Sequence, residues 1–107
     1  MMIVKSWSDI SKNPISIEPI REMHPVDDGY RLFPNCYSAG VKFPVNITRA
    51  LRVYVLSGNC RYLMNKTKIS ISDGHYADLQ PGDYEFEVGE SAPVKIVKLF
   101  KLPSGDE

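Results

Sequence analysis

The chain has 107 residues, of which 43% are apolar and 24% charged. That is enough chain for one hydrophobic core and is too apolar for a disordered segment. Thirteen basic and thirteen acidic residues cancel, so no global field favours nucleic acid or an anionic membrane, and neither is expected as a partner.

A single domain over residues 1–107 is expected, with an irregular N-terminal segment up to residue 29, a β core over 30–102 and a frayed tail over 103–107. Met1 to Asp9 lack the apolar run and cleavage site of a signal peptide, and no stretch approaches the ~20 apolar residues of a membrane helix. The expected location is cytoplasmic. Cys36 and Cys60 fit no Cys-x-x-Cys pattern and read as two buried free thiols.

In chain order, Trp7-Ser8-Asp9-Ile10 can open one helical turn, which Pro14 stops. Ile15-Ser16-Ile17-Glu18-Pro19-Ile20 reads as an edge strand, where proline is tolerated. Tyr30-Arg31-Leu32-Phe33 and Tyr37 through Phe43 are strand candidates separated by Pro34-Asn35. Leu51 through Leu56 is rich in β-branched and aromatic residues and stops at Ser57-Gly58-Asn59. Cys60 through Met64 follows at hairpin distance, which predicts antiparallel pairing of the two segments. Ile69-Ser70-Ile71-Ser72 alternates before the turn Asp73-Gly74. Tyr84-Glu85-Phe86-Glu87-Val88 alternates more cleanly and puts Tyr84, Phe86 and Val88 on one face. Val94 through Leu102 closes the series. Short strands joined by Gly, Pro and Asp turns predict an all-β antiparallel sandwich or barrel.

At Val53-Tyr54-Val55-Leu56-Ser57-Gly58 and again at Leu79-Gln80-Pro81-Gly82-Asp83-Tyr84, the chain resembles the cupins. The resemblance covers residues 37–102, and the stretch between the two signatures suits an intervening hairpin. It implies a jelly-roll barrel whose mouth holds a ligand.

Cupin metal chemistry resides in two motifs, G-x5-H-x-H-x3–4-E-x6-G and G-x5-P-x-G-x2-H. Counting back from Gly58 puts Leu51 at the glutamate and Val45 and Ile47 at the histidines, or Pro44 and Asn46 with the longer spacing. Counting forward from Gly40 gives Asn46 and Thr48 instead. In the second motif, Gly82 puts Pro93 at the last histidine. None of these side chains suits iron, manganese or zinc, so no metal or other cofactor is expected. His24 and His75 read as solvated loop residues, with a His24–Asp27–Asp28 metal site as the lesser alternative. Asp73, Asp78, Asp83, Glu85, Glu87 and Glu90 read as a solvated acidic face.

On the strand 51–56, Leu51, Val53 and Val55 make an apolar wall while Arg52 and Tyr54 point the other way. The expected function is therefore a metal-free cupin-like module that binds a small molecule or a protein. Its ligand site is placed at the barrel mouth on Asn46, Thr48, Leu51, Val53 and Val55. One alternative is a metal-independent enzyme, isomerase-, epimerase- or nucleoside phosphorylase-like, for which Arg49, Arg52, Arg61 and Tyr54 are the nearest polar candidates. The other is a structural or regulatory dimer whose barrel is packed shut. A homodimer is expected in any case, with 15–20 and 94–102 as the strands offered for pairing.

Overall fold

The computed structural model describes residues 4–102. Its strands are β1 (Val4–Ser6), β2 (Tyr30–Tyr37), β3 (Lys42–Ile47), β4 (Leu51–Ser57), β5 (Asn59–Met64), β6 (Thr67–Ser72), β7 (His75–Leu79), β8 (Gly82–Val88) and β9 (Val94–Lys101), with one α-helix, α1 (Ile17–Met23). They form two antiparallel sheets, of strand order β1-β7-β4-β9-β2 and β3-β8-β5-β6. The expected all-β antiparallel sandwich is the fold observed.

Two apolar clusters sit on the two faces of the five-stranded sheet. Between the sheets, Val53, Val55, Tyr62, Ile71, Leu79, Phe86, Val88, Val94 and Ile96 are buried together. The alternation read in Tyr84, Phe86 and Val88 is realised there, since all three point into this core. On the outer face, Tyr54, Tyr76, Val97 and Leu99 are covered by Trp7 and Ile20 from the N-terminal segment. Trp7 donates its indole N–H to the carbonyl of Asn13 at 2.7 Å and meets the ring of Tyr54 edge-on at 5.6 Å.

That covering layer corrects the edge strand expected over Ile15 to Ile20. Residues 17–23 are helical. Pro19 falls in the first turn, where its missing N–H has no intrahelical partner to lose. Ile17 and Ile20, three apart, share a helix face, and Glu18 in the first turn and Arg21 in the last suit the helix dipole. The N-terminal thirty residues are thus less irregular than expected, because Val4–Ser6 also pairs with His75–Ala77.

Three other expectations are revised. Pro34 does not break its strand: β2 runs through it, with Pro34 opposite Val97, on a strand bonded on one side only. The second candidate there is interrupted by a turn after Tyr37. The hairpin between 51–56 and 60–64 does not form, because β4 pairs with β7 and β9 while β5 pairs with β6 and β8. Gly58 is instead a crossing from one sheet to the other. Its φ is +81°, and a Cβ there would lie 2.3 Å from the carbonyl oxygen of Pro93, which only glycine tolerates. The intervening hairpin is β5–β6. Finally, one of the two thiols is exposed: Cys36 lies on the outer edge, whereas Cys60 is buried in the core, where burial pushes its thiol up to about 12.

The expected frayed tail over 103–107 lies outside the described residues. Among the described residues, no helix is long and apolar enough to cross a membrane.

Candidate functional site

Along β9 the alternation runs Val94, Ile96, Lys98, Phe100 toward the inter-sheet space, whereas Val97 and Leu99 face the outer cluster. At the far end of this strand the sandwich gapes. A cavity of about 340 Å³ opens there, lined by Val45, Ile47, Leu51, Tyr62, Lys98 and Phe100, with Asn46, Thr48 and Arg49 at the rim. Its size lies at the low end of the ~300–1,000 Å³ usual for small-molecule sites.

The five residues expected to form a ligand site divide into two layers. Asn46, Thr48 and Leu51 line this cavity. Val53 and Val55 are fully buried below it in the inter-sheet core. Asn46 is exposed, and its amide donates to the carboxylate of Asp83 across the β3–β8 ladder.

Val45, Ile47 and Leu51, which the count back from Gly58 sets at metal-ligand positions, all line this cavity. Pro93 does not. Its carbonyl abuts Gly58, past the opposite end of β4 from Leu51, so the linear count misplaced it. The residue opposite Val45 in the sheet is Tyr84, buried, with its hydroxyl donating to the carbonyl of Gln80 at 2.7 Å. Aliphatic side chains and a phenol already hydrogen-bonded to backbone do not fit iron, manganese or zinc. Among the described residues, no three of His, Cys, Asp and Glu come together in a metal-holding group.

The remaining polar candidates lie outside the sandwich. Arg61 is tied to Glu87 at 2.8 Å. Arg52 makes a two-point contact with Asp78, at 2.7 and 3.1 Å, and donates to the Tyr54 hydroxyl at 3.2 Å. Burial opposes the charge on Arg52, but its hydrogen bonds to Asp78 and Tyr54 outweigh that, so the guanidinium stays charged. The chain of contacts ends on His24, whose Nε2 is 3.0 Å from the same hydroxyl. His24 is therefore partly buried and hydrogen-bonded, not the solvated loop residue expected. This network borders a second cavity of about 390 Å³ on the outer face, lined by His24, Tyr30, Leu51, Arg52, Asp78 and Lys101 among others. Asp78 and Glu87 are likewise engaged in ion pairs and do not belong to a freely solvated acidic face.

Of the polar candidates named from the sequence, Arg49 lines the inter-sheet cavity, whereas Lys98 and Phe100 were missed. For Lys98 the signal was present: it falls in phase with Val94 and Ile96, where a period-2 strand sends its side chain inward.

Comparison with solved structures decides the fold. A cupin domain of an XRE-family transcriptional regulator from Enterobacter cloacae superposes with a TM-score of 0.63 at 14% identity, over 96% of this chain and 98% of that one. This is the cupin fold. A cupin protein from Bacteroides fragilis matches with a TM-score of 0.56 at 19% identity, covering 74% of this chain and 71% of its own. A cupin-fold protein of the DUF861 family from Thermotoga maritima gives 0.57 at 13%, over 95% of this chain and all of its own. No protein-family model matches the sequence. No curated protein matches it either. At these identities the likeness extends to the cupin fold alone, and the cavity above is the open end of a cupin sandwich.

Proposed function

We propose that this cupin domain is a metal-free binding module that takes a small molecule at the mouth of the sandwich and performs no metal-dependent catalysis. The observation that carries this reading is the cavity of about 340 Å³ lined by Val45, Ile47 and Leu51, the residues that the motif count sets at the metal-ligand positions. In the proposed site, Leu51 supplies apolar contact, Asn46 and Thr48 supply rim hydrogen bonds, and Val53 and Val55 are the packed floor that keeps the wall rigid. An apolar side chain removed from water by a ligand contributes roughly 1.5–3 kcal/mol.

A thermal-shift screen of metabolites tests the reading. The expected result is protection by at least one compound, weakened in Asn46→Ala and Thr48→Ala. Protection that is unchanged in both variants assigns the ligand elsewhere. Elemental analysis of the dialysed protein is expected to find no stoichiometric iron, zinc or manganese; about one per chain refutes the metal-free reading.

We also propose that the domain works as a cytoplasmic homodimer. Its unpaired thiols, Cys36 and Cys60, suit a reducing compartment. The earlier choice of pairing strands does not survive, since residues 17–23 are helical and β9 lies between β4 and β2. The edge strands are β1, β2, β3 and β6, and pairing along one of them would cover its free backbone groups.

A further inference from the structure

Lys98 is a cation placed on the inner face of the sandwich. It is opposite Val53 on β4 and Phe33 on β2 in the sheet, and it lines the mouth cavity beside Leu51 and Tyr62. Its ammonium donates to the Tyr37 hydroxyl at 3.4 Å and sits 5.8 Å from the centre of the same ring. Among the described residues, no carboxylate lies within ion-pair distance of it. An ammonium brought into a partly apolar setting without a counter-charge is costly unless something compensates. A phenol accepting one hydrogen bond is weak compensation, and it leaves its own O–H free to donate. Lys98 thus brings to the mouth cavity a cation with no carboxylate partner among the described residues.

The rim repeats the pattern. The Arg49 guanidinium lies over Phe100 at 5.2 Å, with no carboxylate partner among the described residues. Phe100 stacks almost parallel on Phe33, 5.4 Å between ring centres and 11° between planes. Phe33 is 49% exposed. The mouth therefore offers two cations with no carboxylate partner among the described residues, and an aromatic surface.

Building on the binding function proposed above, we infer that the mouth selects small carboxylates on a flat, apolar body, with Lys98 holding the acid group and Phe100 meeting the body. A carboxylate accepting from the Lys98 ammonium makes a charge-assisted bond, roughly twice as strong as a neutral one. The cavity of about 340 Å³ limits the body to one or two rings.

The test uses 2-naphthoate and its neutral isostere 2-naphthamide, titrated into the ¹⁵N-labelled protein with amide shifts read around Leu51, Thr48 and Lys98. The acid is expected to bind at least tenfold more tightly than the amide, with the gap narrowing as salt is raised. Lys98→Met should abolish that preference while retaining amide binding. Arg49→Gln, at an exposed position, should reduce it in part. Equal affinity for acid and amide, or a preference that persists in Lys98→Met, overturns the inference and leaves the binding function standing. If neither probe shifts the mouth residues, the inference falls, and the binding function is decided by the metabolite screen.

Discussion

His24 Nε2 lies 3.0 Å from the hydroxyl of Tyr54, and that hydroxyl also accepts from Arg52 at 3.2 Å. A hydroxyl carries one proton and two lone pairs, so the Tyr54 oxygen accepts from Arg52 and still shares a hydrogen bond with His24, whose direction follows the imidazole tautomer. The other ring nitrogen, Nδ1, is buried and has no hydrogen-bond partner among the described residues. Burial, and secondarily the charge on Arg52, hold the imidazole pKa below its usual 6.5.

A pH dependence follows, with a definite sign. The unfolded chain takes up a proton at His24 near 6.5, whereas the folded chain resists it to lower pH. The contribution of this group is full above 6.5 and is lost as pH falls through the depressed folded value. Melting temperature should therefore drop between pH 7 and pH 5, and the drop should be shallower in His24→Gln, whose amide can still hydrogen-bond the Tyr54 hydroxyl. Parallel profiles for the two proteins would remove His24 from this role.

Tyr54→Phe deletes the hydroxyl that joins Arg52 to His24 and leaves both with an unmet hydrogen-bonding group. We expect a loss of about 1–3 kcal/mol in urea unfolding. Because the ring is fully buried and retained, the loss should come with no change in far-ultraviolet circular dichroism.

Ile20 is fully buried beneath α1 against the outer face of the five-stranded sheet. Ile20→Ala should cost about 2–5 kcal/mol and raise hydrogen exchange in residues 7–24 ahead of the inter-sheet core. Uniform acceleration of both regions would mean that the covering layer and the sandwich unfold as one.

Gly58→Ala should be among the most damaging small substitutions, because the added methyl meets the Pro93 carbonyl and the backbone there is left-handed. A destabilisation above about 1 kcal/mol is expected. A wild-type melting curve would show that the crossing from β4 to β5 adjusts easily.

Light scattering at micromolar concentration is expected to return twice the 12.1 kDa mass of the chain. A clean monomer would end the dimer proposal without touching the binding site.

Strand identity was legible wherever apolar residues alternate, as at Tyr84, Phe86 and Val88 or Ile69 and Ile71, because period-2 burial leaves a local trace. Strand partners were not. Nothing local distinguishes a turn that closes a hairpin, as between β5 and β6, from one that carries the chain to the opposite sheet, as at Gly58. Proline was misleading twice for a similar reason. Pro19 and Pro34 each sit where no backbone donor is required, once in a first helical turn and once on an edge strand. The apolar wall at the mouth was readable from Leu51 and its neighbours. Of the cations there, Arg49 was among the polar candidates, whereas Lys98 was not, since a lysine is expected to be solvated unless its phase on β9 is followed. His24 was the least accessible: thirty residues separate it from Tyr54, and only the helix turning over the sheet brings them together.

The position of β9 bears on how the protein is made. This strand lies between β4 and β2, and β2 has no other partner in its sheet. On the ribosome, residues 30–37 must therefore wait for 94–101 to emerge before they can pair. Helix α1 waits as well, since Val97 and Leu99 form part of the surface it covers. At elongation rates of ~5–20 residues per second, the nascent chain spends seconds with Ile20 and Leu32 unsheltered. Yield in a heterologous host should consequently respond to translation speed and chaperone supply, even for variants whose equilibrium stability is unchanged.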